Sequence, residues 1–275
     1  MKTLNWKGQT MHYYGNATPQ ASYSFNFPWR CGLLTTFGVF LVGFCVLVLT
    51  GVAMAIGSET LRALPAFSDI SSKNWNAGFE LLAYCEMFGM TILVLYVFVG
   101  WFQDFNELTR FGLARLRRSV GRVLRAGAAG YGLALALTLV VYCLVPLPSP
   151  HDPFGESART LTGVSFVLAA LGTSVAAPLM EELLFRGFVQ NMLRGSLRAG
   201  FVGRSMGMRV ADVTAVIMTA ALFAAMHLTL SGFVPLFISG VILGEVYRRT
   251  DNLWASMAMH AFNNVTAMAL LAVSI

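Results

Sequence analysis

Three pairs of residues, each set four apart on a separate apolar stretch, carry groups able to do chemistry. Glu182 and Arg186 follow directly on Glu181, Phe223 precedes His227, and His260 precedes Asn264. A carboxylate can take a proton from water, an imidazole can hold or relay one, and an amide can donate to a developing oxyanion. Together they are the groups that water activation and oxyanion stabilisation require. A charged side chain near the centre of a bilayer costs about 2.5–3.5 kcal/mol on insertion scales. Charges inside an apolar run therefore need partners or a role.

Helical spacing separates the three charges. Residues four apart share a helix face, so Glu182 is the natural partner of Arg186, whereas Glu181 lies about 140° away from Arg186 and is left to point elsewhere. Pro178 removes a backbone hydrogen bond just upstream and should kink the helix there. A plain alternative is a helix end whose charges snorkel into the interface. If the helix stopped at Arg186, Glu181 would be too shallow for chemistry with His227, so the helix should run to Gln190 or beyond. His227 lies roughly 22 Å along its own helix from Asp212, and Phe223 on the same face can fix its ring. His260 and Asn264 share a face roughly 10 Å in from Leu253. The structural alternative for either histidine is a bond to a carbonyl of a neighbouring helix.

The elements that must position these groups are membrane spans. The chain is 56% hydrophobic and 12% charged, with mean hydropathy +0.66, far from the composition of a soluble domain. The fold class expected is all-α, a polytopic membrane helix bundle of about seven spans: 31–57, 78–102, 126–147, 161–185, 212–230, a short 233–247, and 253–275. With the N-terminus cytoplasmic, all of the 19 Lys and Arg residues except Arg62, Lys73 and Arg159 fall on the inner side, as the positive-inside rule requires. The net charge of +6 then reflects topology and implies no nucleic acid. Three regions follow: a polar cytoplasmic segment 1–30, a transmembrane region 31–150 with a basic interfacial helix, and a core 151–275 holding nearly all the chemistry.

Residues 1–30 lack the apolar core of a cleaved signal, and the first span is long enough to stay. The sequon Asn16-Ala17-Thr18 lies on the expected inner side and carries no weight. Cys31, Cys45, Cys85 and Cys143 have no framework spacing and read as packing residues without disulfides. The stretch Arg110 to Arg125 suits an interfacial helix on anionic lipid, and Pro146 to Pro153 a stiff outer loop. Glu245 should pair with Arg248 and Arg249 at a helix end. Glu80 sits near an outer boundary, and Glu86 is deeper with no assignable partner. Gly240 and Gly244 suit close helix packing, and Trp254 an interface.

With Glu181-Glu182-x-x-x-Arg186, Phe223-x-x-x-His227 and His260-x-x-x-Asn264 in this order, the chain resembles the CPBP family of intramembrane proteases, also called the Abi or CAAX protease family. The surrounding Ala177-Pro178-x-x-Glu181-Glu182-x-x-Phe185-Arg186-Gly187 is also similar. The resemblance spans about 160–275. It implies an endopeptidase working in a cytoplasm-facing site among helices, at the cell membrane, on a peptide or protein substrate held at the lipid bilayer. Some members remove the C-terminal tripeptide of prenylated CAAX proteins, and others process peptides or bacteriocins.

On this reading Glu181 is the general base for a water that His227 also holds, His260 and Asn264 donate to the oxyanion, and Glu182, Arg186 and Phe223 fix the frame. No cofactor is required. The family is often called metalloprotease, and the competing mechanism makes Glu181, His227 and His260 ligands of a catalytic zinc. The same groups could instead serve a proton-coupled transporter, an immunity factor or an idle scaffold, although no inverted repeat is evident.

Overall fold

The computed structural model describes residues 2–6, 9–13, 33–67, 69–72, 74–79, a few positions from 81 to 89, 120–144, 163–227, 229 and 232–274. The membrane part is all-helical. Ahead of it, in the polar N-terminal segment, β1 (Lys2–Trp6) and β2 (Gln9–Tyr13) pair antiparallel as a small hairpin. Helix α1 spans Leu33–Arg62 and ends in a 3-10 turn at Pro65–Phe67. Helix α2 spans Val120–Leu144. Most of the expected second span, Glu80, the 110–119 part of the basic stretch, the 146–153 loop and Cys31 lie outside the described residues. Cys45, Cys85 and Cys143 are free thiols.

The centre of the fold is α3, a helical rod of 36 residues from Val164 to Ala199. It is not uniform. Two wider π-helical stretches, Gly172–Ala176 and Leu183–Gln190, flank the α-helical turn Ala177–Glu182. Pro178 explains the first: a proline in a helix cannot donate to the carbonyl four residues back, and a π turn absorbs the mismatch by bonding five residues back. The Ala177 N–H accordingly reaches the Gly172 carbonyl. The rod passes Arg186 and Gln190 without a break, so Glu181 lies near its middle, the depth that the general-base reading requires.

A short helix α4 (Phe201–Met206) leads into α5 (Met208–Met226), then α6 (Phe233–Thr250) and α7 (Leu253–Ser274). Among the described residues, α2, α3, α5 and α7 are long and apolar enough to cross a membrane. Helix α6, at 18 residues, is about 27 Å long, short of a hydrocarbon core of about 30 Å. Helix α5 ends four residues earlier than the expected 230. Beyond that end the Gly232 N–H donates to Thr229 Oγ1 at 2.9 Å.

Packing centres on α3. Leu183, Phe185, Phe188, Met192 and Leu193 bury against Ala211 and Ala215 of α5, Tyr247 of α6, and Met257 of α7. Lipid gives helices no hydrophobic reason to associate, so close contacts rely on small residues. A Cβ on Gly240 would stand 3.1 Å from Ala220 Cα, and one on Gly127 of α2 would stand 2.9 Å from Ala258 Cβ. The basic ends are tied down. Asp212 accepts from Arg198 Nε at 2.6 Å and Arg194 Nε at 3.0 Å, joining the end of α3 to the start of α5. Glu245 accepts from Arg248 Nε at 2.6 Å and Arg249 Nε at 2.5 Å, the expected helix-end pairs.

Candidate functional site

Glu182 and Arg186 lie fully buried on α3, with Arg186 Nη1 donating to Glu182 Oε1 at 2.9 Å. Two charges cannot leave water on one contact alone, since desolvation costs several kcal/mol per ion. Both have further partners. Arg186 Nη2 donates to the Gly240 carbonyl of α6 at 3.2 Å, and its guanidinium carbon sits 4.6 Å from the centre of the Phe223 ring. Glu182 Oε1 also accepts from His260 Nδ1 at 2.9 Å.

One turn further along α3 the pattern repeats. Gln190 Nε2 donates to the Gly244 carbonyl at 3.0 Å. Arg186 and Gln190 are four apart, as are Gly240 and Gly244, so α3 and α6 run parallel in fixed register. The two glycines let the backbones come close enough for side chains of α3 to reach carbonyls of α6; a Cβ on Gly244 would meet Gln190 Oε1 at 2.8 Å. Asn191 adds a bond from Nδ2 to Tyr247 Oη at 2.7 Å.

Glu181 differs from its neighbour. Its side chain keeps 17% exposure against none for Glu182; among the described residues the Oε2 atom of each acid has no hydrogen-bond partner. Adjacent residues stand about 100° apart on a helix and here straddle one imidazole: Glu182 meets Nδ1, while Glu181 Oε2 lies 3.9 Å from Nε2. With Nδ1–H given to Glu182, Nε2 is the nitrogen left for other work.

His227 stands at the C-terminal end of α5 rather than inside a longer helix, and is exposed. The last turn tightens there, with the His227 N–H donating to the Ala224 carbonyl. The Phe223 carbonyl is thereby open to His227 Nδ1, 2.8 Å away. With Nδ1–H so placed, Nε2 carries the lone pair. Phe223 contacts both histidines, with ring centres 4.7 Å from His227 and 5.9 Å from His260. Asn264, one turn beyond His260, donates from Nδ2 to the Thr173 carbonyl of α3 at 2.7 Å.

The structure thus gathers Glu181, Glu182, Arg186, Phe223 and His260 directly, brings His227 in through Phe223, and ties Asn264 to the same rod. Residues 163–266 match the family model for type II CAAX prenyl endopeptidase Rce1-like proteins. That segment is similar to the family. It holds all three motifs and stops short of α2. No curated protein and no solved structure matches the chain.

The alternative zinc set is Glu181, His227 and His260. Among the described residues no three His, Cys, Asp or Glu side chains are placed to hold a metal ion. Both histidines have Nδ1 tied to an acceptor and keep Nε2 for another partner, an arrangement that zinc-bound histidines also use, while the Arg186 guanidinium, 2.9 Å from Glu182, brings a positive charge into the same cluster. Sequence reasoning missed Thr173, Gln190 and Asn191. Gln190 was findable, being four residues after Arg186 as Gly244 is after Gly240. Among the described residues Glu86 Oε2 has no hydrogen-bond partner.

Proposed function

We propose that this protein is an intramembrane endopeptidase that hydrolyses a peptide bond in a membrane-held, CAAX-like substrate without a metal. The observation that carries the reading is the different placement of the two acids: Glu182 is fully buried with Oε1 held by Arg186 and His260, whereas Glu181 keeps 17% exposure and its Oε2 faces the other imidazole nitrogen. Two polar atoms 3.9 Å apart can both bond one water at about 2.8 Å from each.

In the reaction, Glu181 accepts a proton from water and the oxygen forms a bond to the scissile carbonyl carbon. His227 Nε2, its lone pair free, holds the second hydrogen of that water. The tetrahedral oxyanion accepts from the free amide hydrogen of Asn264 and from His260 Nε2–H in the doubly protonated ring. Glu181 then passes its proton to the amide nitrogen as the C–N bond breaks. Glu182, Arg186 and Phe223 hold the frame and touch no reacting atom. The arginine distribution supports a cytoplasmic N-terminus and a cell-membrane location, with lipid bilayer and substrate as the partners.

The test is cleavage of a farnesylated CAAX peptide and its unprenylated form by purified protein in vesicles, followed by mass spectrometry. Wild type should release the C-terminal fragment and Glu181→Gln should not. Equal cleavage by both proteins would overturn the assignment.

A further inference from the structure

The bond between Asn264 and Thr173 has a cause in the backbone of α3. A helical carbonyl normally receives the N–H four residues on, or five residues on in a π turn. For Thr173 these are residues 177 and 178. The Ala177 N–H is spent on the Gly172 carbonyl, and Pro178 has no N–H. Neither donor can serve Thr173. A polar group unpaired in an apolar interior is costly, and the Asn264 amide supplies the missing hydrogen at 2.7 Å.

The same bond fixes the amide. One hydrogen of Nδ2 points along the line to Thr173, so the plane of the group and the direction of its second hydrogen are set. The carbonyl Oδ1 is held from its other side by Asn263 Nδ2 at 3.3 Å. An oxyanion donor works only when aimed before the reaction begins.

We propose that Pro178 is a positioning residue: by withholding an N–H inside the π turn it leaves the Thr173 carbonyl as the anchor that aims the Asn264 amide at the reaction. The proposal rests on the endopeptidase reading for its consequence in rate, but not for the anchor itself.

The variants are Pro178→Ala, Asn264→Ala and the two combined. Alanine restores the N–H and favours helix, so Pro178→Ala should keep or raise the thermal midpoint while kcat falls about tenfold or more and KM stays within about twofold. A merely structural proline would lower both together. The double variant should be no slower than Asn264→Ala alone, because the two residues act as one unit. Unchanged kcat in Pro178→Ala, or losses that multiply in the double variant, would overturn the proposal. A second readout needs no activity: solid-state NMR dipolar coupling between a 13C-labelled Thr173 carbonyl and a 15N-labelled Asn264 side chain, in vesicles. Contact in wild type and its loss in Pro178→Ala support the anchor; contact persisting in Pro178→Ala refutes it. Wild-type protein that cleaves nothing would end the endopeptidase reading, with the coupling measurement still deciding the anchor.

Discussion

His260 donates from Nδ1 to Glu182 Oε1 at 2.9 Å, joining residues 78 positions apart in the chain. This bond makes α7 part of the buried charge network of α3. Removing either end of that network strands a charge.

Glu182→Leu and Arg186→Met should therefore each destabilise the protein by about 3–5 kcal/mol, the cost of leaving one buried ion without its partner. Combined, they should cost less than the sum. Unfolding in mixed micelles, followed by circular dichroism, measures all three. Additive losses would mean that the two charges do not support one another.

Glu181→Gln should behave oppositely. It removes the proton acceptor but strands nothing, so the unfolding midpoint should hold while kcat falls by about a hundredfold to ten-thousandfold. Comparing rate and midpoint in one preparation separates the two adjacent acids.

Gly244→Ala would place a methyl 2.8 Å from Gln190 Oε1 and 3.0 Å from Val216 Cγ1. Overpacking of this kind costs about 1–3 kcal/mol. Gln190→Ala in the same protein should recover part of it, because the tighter clash is with that side chain. No recovery would place the strain on Val216.

Phe223→Leu keeps an apolar group of moderate size but loses the aromatic face under Arg186 and the edge contacts to both imidazoles. We expect kcat to fall about tenfold or more through misplaced histidines, with a modest stability loss. Phe223→Tyr, which keeps the ring, should retain most of the rate.

Metal content is the remaining measurement. Elemental analysis of active protein should find less than stoichiometric zinc, and a chelator should leave cleavage intact. Stoichiometric zinc whose removal abolishes cleavage and whose return restores it would establish the zinc mechanism instead.

Spacing along one helix was legible in the sequence. Intervals of three and four residues predict the Glu182–Arg186 pair, the two Glu245 pairs and the shared face of Phe223 and His227. The requirement that Glu181 lie deep predicts a rod continuing past Gln190, and it does. Contacts between helices were not legible, because periodicity says which residues share a face and not what that face meets. The bonds of His260 to Glu182 and of Asn264 to Thr173 are of this kind. The second was further hidden by the π turns, which break the 100° rule on which the reading relies. Pro178 signalled a disturbance, but as an expected kink rather than a carbonyl handed to another helix.

The partners that satisfy α3, namely Gly240, Gly244, Phe223 and His260, all lie later in the chain than Arg186. During synthesis the acidic and basic groups of α3 are made before those partners exist. For that interval Glu182 and Arg186 have only each other, and their four-residue interval lets a lone helix enter the bilayer as a neutral pair. The four-residue spacing of the buried pair thus suits the order of synthesis as well as the finished site.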